Sequence, residues 1–153
     1  MERTIKEVSE LGVKDAIIDI VWSLIETPQN DTYNWSRWDS IMSYGKTYGI
    51  NVRAQVSYTP SWSNSQGPGY PPGNPQDYAD FVSVVMSRYK DQIKGFEIWN
   101  EPNMNYFWKG TVAQYVAMLN FAYDAIKSVN RDIPVISGGL APEYANWMDQ
   151  FLS

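Results

Sequence analysis

The chain has 153 residues, with 12 Lys and Arg against 17 Asp and Glu for a net charge of −5. Hydrophobic residues make up 44%, too many for a disordered polar tail, and no apolar run reaches the ~18 residues of a membrane span. The acidic balance argues against a nucleic-acid surface, and the absence of Cys and His removes disulfides, thiolate nucleophiles, Ser-His-Asp chemistry and most transition-metal sites.

Residues 2–12, ERTIKEVSELG, set Ile5, Val8 and Leu11 on one helical stripe and stop at Gly12. This opening lacks the basic leader and long apolar centre of a signal peptide, so secretion would need an export signal upstream. Val13 to Ile25 carries a continuous apolar run and reads as a strand buried on both faces. Asn34 to Tyr48 spaces Trp35, Trp38, Ile41, Met42 and Gly45 as a helix closed by Gly49. Residues 50–60, INVRAQVSYTP, read as a second strand ended by Pro60, and Gln76 to Tyr89 as a helix with Tyr78, Phe81, Val82 and Val85 on its apolar face. Residues 93–102, IKGFEIWNEP, form a third strand and Thr111 to Val129 a long helix. Residues 133–139, IPVISGG, are a fourth strand, and Glu143 to Leu152 a last helix. A leading helix and four strand–helix units predict an α/β fold with parallel strands and right-handed crossovers.

Ser63 to Pro75, SNSQGPGYPPGNP, has the composition of a flexible surface loop. Its length and its place after the C-terminal end of a strand, where α/β folds carry their binding loops, point instead to a functional segment. Polar chemistry gathers at the same ends of the strands: Asp19 to Trp22 followed by Glu26, Tyr58 to Trp62, Glu97 to Asn103, and Ser137 to Gly139, whose paired glycines read as a tight turn. A single Trp at such a place is more often filler. A Trp recurring beside carboxylates and amides suits a sugar ring, whose C–H face stacks while its hydroxyls seek hydrogen bonds.

Asn100-Glu101 is the sharpest feature. A carboxyl at a strand end between Trp99 and Pro102 is partly withdrawn from water, the setting of a general acid, and Asn100 offers a donor and an acceptor. Residues 97, 99 and 101 are expected on one strand face. Glu97, deeper in the strand, reads as a structural charge.

IWNEPN, Ile98 to Asn103, resembles the acid/base strand of clan A glycoside hydrolases, the (β/α)8-barrel retaining glycosidases. With VWSLIE, YNW, YTPSW and NPQDYADFV before it and SGGLAP after it, the chain is similar to glycoside hydrolase family 39 and its family 5 cellulase-like relatives from about Leu11 to Pro142. The resemblance implies Glu101 as general acid/base and Asn100 as partner of the sugar 2-hydroxyl. It implies substrate-binding positions at Trp22, Tyr58, Trp62, Asn103 and Trp108, and an oligo- or polysaccharide substrate of β-xyloside, β-glucoside or β-glucan type. No metal and no cofactor is implied, and neither a nucleic acid nor a membrane is expected as partner.

Two departures from the family matter. Ile17 stands where family members carry an Arg that supports the nucleophile. The strands correspond to the second to fifth of eight, so residues 1–153 are expected to form an incomplete TIM-barrel domain, a full barrel taking ~250 residues. Retaining hydrolysis uses two carboxyls roughly 5–5.5 Å apart, and the family's nucleophile, a Glu on the seventh strand, has no counterpart here. Glu26 and Glu143, at or beyond other strand ends, are poor substitutes, so the chain alone is expected to show no meaningful turnover. The competing classes are a non-catalytic carbohydrate-binding protein, to which an Asn-Glu pair would be superfluous, and a flavodoxin-like protein, for which no phosphate-binding glycine motif is present.

Overall fold

The structure, a computed structural model, describes residues 1–142 and 145–153. Helix α1 (Glu2–Glu10) precedes strand β1 (Asp15–Val21), followed by α2 (Trp22–Ile25), α3 (Ser36–Thr47), β2 (Asn51–Ser57), α4 (Pro75–Tyr89), β3 (Ile93–Ile98), α5 (Val112–Val129), β4 (Val135–Ser137) and α6 (Ala145–Leu152). The strands form one parallel sheet in chain order, β1-β2-β3-β4. The predicted α/β alternation is therefore present; Glu143, expected to open the last helix, lies outside the described residues.

Strand register divides the sheet into two unlike faces. Ala16, Ile18 and Ile20 stand beside Val52, Ala54 and Val56, then Phe96 and Ile98, then Val135. This apolar face meets the helices: Met42 of α3, Tyr78, Phe81, Val82 and Val85 of α4, and Tyr115, Met118, Ala122 and Ile126 of α5 are buried with it in one core. Each fully buried side chain of this size contributes ~1.5–3 kcal/mol through removal from water. The opposite face carries Asp15, Ile17 and Asp19, then Arg53, Gln55 and Ser57, then Glu97, then Ile136. Alternation in INVRAQVS is thus a division of labour, with aliphatic residues toward the helices and polar ones toward the other side.

Helix starts follow local chemistry. Asn74 accepts a hydrogen bond from the Gln76 N–H while Pro75 occupies the first helical position of α4, where a missing N–H costs nothing. Thr111 and Gln114 form a capping box at α5, each side chain answering the other's backbone N–H.

Five sequence expectations are corrected. β1 is not buried on both faces: Ile20 is fully covered but Ile17 is 54% exposed, because β1 lies at the sheet edge with helices on one side only. It also stops at Val21, where the Ser23 N–H turns to the Tyr58 carbonyl and α2 begins. Leu11 does not continue the stripe of α1; it is exposed, while Ile5 and Val8 of that stripe are half-buried. β3 ends at Ile98 rather than Pro102, since Trp99 and Glu101 adopt φ of +71° and +41°. Left-handed residues cancel strand alternation, so Glu97, Trp99 and Glu101 do not share a face, and Trp99 is buried against Tyr58, Tyr78 and Trp108.

Candidate functional site at the strand ends

At the C-terminal end of β2 the chain turns through Tyr58, whose φ is +70°. Bulky residues in the left-handed region store ~1–3 kcal/mol each and persist only where the surroundings hold them. Here the Tyr58 carbonyl accepts from the Ser23 N–H at 2.9 Å, and its ring lies 5.8 Å from that of Trp99. At the end of β3 the Trp99 N–H donates to the Val56 carbonyl at 2.9 Å, tying the first residue past β3 to β2. The indole N–H of Trp99 reaches the Phe107 carbonyl at 3.1 Å.

Both strand ends are braced from the helix that follows. Tyr78 of α4 donates its hydroxyl to the Val56 carbonyl at 2.7 Å. Tyr115 of α5 donates to the Ile98 carbonyl at 2.8 Å and accepts from the Gly138 N–H at 2.8 Å, joining β3 to β4. Gly138 must be glycine: a Cβ there would stand 2.8 Å from the Trp99 carbonyl oxygen and 2.9 Å from Pro102 Cδ.

Asn100 and Glu101 occupy the turn between these anchors, both half-buried. The Glu101 carbonyl accepts from the Met104 N–H at 2.9 Å, which folds the following segment into a tight turn. Asn100 Oδ1 faces Gln55 Nε2 at 3.5 Å, and the same Gln55 amide donates to Glu97 Oε1 at 3.1 Å. Glu97, 8% exposed, also accepts from the Gly139 N–H at 3.1 Å. It is a hydrogen-bonded structural carboxylate, in line with its depth in the strand. Asp19 accepts from Ser57 Oγ at 2.8 Å; its pKa is raised by burial, opposed by the Ser57 hydrogen bond and the charge of Arg37. Burial also pushes the Tyr58 phenol up, and the charges of Asp19, Tyr106 and Glu101 add to it. Tyr58 therefore keeps its proton at neutral pH and remains a hydrogen-bond donor.

Of the residues singled out in the sequence, Asn100, Glu101, Tyr58 and Trp62 are partly open to solvent. Three others are not, and their expected sugar contacts are corrected. Trp22 is fully buried, stacked on Phe81 at 5.6 Å, with its indole N–H on Glu26 Oε2 at 2.6 Å. Trp108, 2% exposed, packs edge-on against Trp99 at 5.0 Å. Asn103, 8% exposed, spends its side-chain amide on both backbone groups of Ala141, at 2.7 and 3.1 Å. These residues build the floor under the site. Glu26 is likewise committed, holding Trp22 and the Asp31 N–H.

The loop from Ser63 to Pro75 is folded back on itself rather than trailing. Asn64 donates to the Pro71 carbonyl at 2.7 Å, Ser63 to Asp77 at 2.8 Å, and the Lys109 N–H to the Gly69 carbonyl at 2.8 Å, locking it to the segment after Glu101. Sequence reading missed Gln55 and the braces Tyr78 and Tyr115. The polar phase of INVRAQVS marked Gln55; the tyrosines lay within helical stripes that look like ordinary core.

Among the described residues no group of three or more His, Cys, Asp and Glu could hold a metal ion, and no helix is long and apolar enough to cross a membrane.

Comparison with known proteins fits this geometry. Residues 17–153 match the family model described as Glycosyl hydrolases family 39. A beta-xylosidase of Caldicellulosiruptor saccharolyticus is 28% identical over 128 residues, covering 73% of this chain and 26% of that protein. A family 39 beta-xylosidase from Caulobacter crescentus superposes with a TM-score of 0.75 at 24% identity, over 99% of this chain and 38% of its own. A family 39 glycoside hydrolase from Bacteroides cellulosilyticus gives a TM-score of 0.75 at 22% identity, over 90% and 28% of the two chains. The four βα units thus have the fold of part of a TIM-barrel glycoside hydrolase, and the chain spans about a quarter of the length of the Caldicellulosiruptor beta-xylosidase. This chain belongs to glycosyl hydrolase family 39.

Proposed function

We propose that the chain carries the acid/base part of a retaining glycosidase acting on β-xylosides or related β-glucosides and β-glucans. The observation that carries this reading is the Asn100-Glu101 turn, held between two braced strand ends and half-open to solvent beside Tyr58, in a family 39 chain. Glu101 donates its proton to the leaving glycosidic oxygen, then takes one from the water that attacks the glycosyl-enzyme. Asn100 binds the 2-hydroxyl, Tyr58 donates a hydrogen bond to the sugar, and Trp62 presents its ring face at the rim.

No carboxylate among the described residues is assigned as the nucleophile. Asp19, Glu26 and Glu97 are each engaged in the hydrogen bonds described above, which supports this reading.

The test is hydrolysis of an aryl β-xyloside and of xylobiose by the 153-residue chain and by the full gene product. The chain alone shows no turnover, while the full product releases xylose with retained anomeric configuration. Glu101→Gln lowers the rate on xylobiose ~10²–10⁴-fold, and far less on a dinitrophenyl xyloside whose leaving group needs no proton. Turnover by the 153-residue chain that Glu101→Gln abolishes would place the nucleophile within it. An unaffected Glu101→Gln enzyme would remove Glu101 from the mechanism.

A further inference from the structure

The polar face of the sheet contains a short relay that ends on Asn100. Gln55 is the register partner of Asp19 on β1 and of Glu97 on β3, so the three side chains project to the same side. Its Nε2 carries two protons. One goes to Glu97 Oε1 at 3.1 Å, and the other points to Asn100 Oδ1 at 3.5 Å. Glu97 is fixed in turn by the Gly139 N–H on the same oxygen at 3.1 Å. Glu97 is therefore an acceptor anchored on β4, and it orients the Gln55 amide with its NH₂ end toward Asn100.

From this geometry we infer that Gln55 is a positioning residue for the glycosidase reaction: it holds the Asn100 carbonyl toward β2 and so presents the Asn100 NH₂ group to the sugar. Among the described residues Asn100 Nδ2 has no hydrogen-bond partner, as a group reserved for substrate would require. An amide is free to flip by half a turn, and a flipped Asn100 would offer an acceptor where the 2-hydroxyl oxygen needs a donor. Gln55 blocks that flip because a turned Asn100 would face NH₂ against NH₂. The inference rests on Asn100 as the 2-hydroxyl partner, and its test separates the two ideas.

The experiment compares kcat/KM of the full gene product on an aryl β-xyloside and on its 2-deoxy counterpart, which lacks the group that Asn100 binds. Gln55→Leu is expected to lose on the order of 10- to 100-fold on the xyloside, the scale of a misplaced binding group, and less than about 3-fold on the 2-deoxy substrate. Equal loss on both substrates, or no loss on either, overturns the inference. Asn100→Ala is measured in parallel. If it also loses equally on both, the 2-hydroxyl role fails and this inference with it. If Asn100→Ala is selective and Gln55→Leu is not, only the relay fails. An unsubstituted gene product without turnover overturns both.

Gln55→Glu supplies a second handle should Gln55→Leu not fold. Its carboxyl faces Glu97 from β3 and Asp19 from β1, with Arg53 two residues back on its own strand. In acid both carboxyls take up a proton: the introduced one then donates its O–H to Asn100 Oδ1 while Glu97 donates its own to the introduced carboxyl, which restores a donor toward Asn100. The rate on the xyloside, taken relative to the unsubstituted enzyme at each pH, is expected to recover as pH falls. A ratio that does not change with pH overturns the relay.

Discussion

Removing the Tyr115 hydroxyl tests how the candidate site is held. Tyr115 is fully buried, and Tyr115→Phe leaves its ring and volume in place, so neither a cavity nor a lost aromatic contact enters the comparison. What disappears is a pair of 2.8 Å hydrogen bonds, one given to the Ile98 carbonyl and one taken from the Gly138 N–H. An unsatisfied buried donor or acceptor costs ~1–3 kcal/mol. A carbonyl with a second lone pair suffers less than an N–H, so the two together come to about 2–4 kcal/mol. For a chain of this size that is a drop in Tm of roughly 5–12 °C. Urea titration of the chain measures it, with Tyr123→Phe as control: Tyr123 is 48% exposed, and its change should stay within ~0.5 kcal/mol. The effect also has a pH signature. The Tyr115 phenol is pushed far up, chiefly by burial and further by the Glu97 charge, against a lowering from the Gly138 hydrogen bond. Its contribution is constant below pH 10 and declines above it, as the unfolded phenol ionises while the folded one does not. A Tyr115→Phe loss no larger than that of Tyr123→Phe would refute the bracing argument.

Other substitutions probe the same architecture. Gly138→Ala forces a Cβ to 2.8 Å from the Trp99 carbonyl oxygen and 3.0 Å from that of Ile98, and should cost ~1–3 kcal/mol in a thermal melt. Gly139→Ala meets only Glu97 Oε1, at 3.5 Å, and should be tolerated. Asp39→Asn breaks the paired contacts to Arg88, at 2.6 and 2.9 Å, between side chains that remain partly exposed; about 0.5–1 kcal/mol should be lost at neutral pH. Arg88 holds the Asp39 carboxyl below its ordinary 3.8, so this stability is present above that pH and vanishes as acid titrates the folded carboxylate. Asp19→Asn acts in the opposite sense. Burial raises the pKa of Asp19, so its charge works against folding at neutral pH, and Asn should stabilise slightly, the gain fading as pH falls and Asp19 itself protonates.

Much of the fold can be read in the sequence because the apolar spacing of α4 and α5 and the short runs of β2 and β3 each satisfy one period only. The Asn100-Glu101 turn is legible for a similar reason: Pro102 fixes where a strand must already have ended. What could not be read depends on contacts distant in the chain. Alternation predicts Trp99 beside Glu97 and Glu101, but the ring is drawn into the core by Tyr78 and Trp108, and the backbone takes a left-handed turn to let it go there. Trp22 and Trp108 carry the composition of sugar platforms and serve as core because Glu26 and the Thr111 carbonyl, respectively, accept their indole N–H groups below the surface. Ile17 lies within an apolar run yet faces outward, since β1 is covered by helices on one side only.

The two strand ends that carry the site repeat one device. β2 leaves through Tyr58 and β3 through Trp99, each an aromatic residue in the left-handed region, and each preceding carbonyl system is met by a tyrosine from the next helix, Tyr78 or Tyr115. Such backbone costs ~1–3 kcal/mol per residue and would relax in an isolated loop. Here the aromatic rings and tyrosine hydroxyls that offset the strain are themselves core, so relaxing the turn would unpack α4 and α5 from the sheet. Asn100 and Glu101 therefore owe their placement to the hydrophobic core. Stability and site geometry should accordingly fall together when a brace is removed, as in Tyr115→Phe. Gln55 lies on the polar face outside that core, where a substitution should change the orientation of Asn100 and leave most of the stability in place.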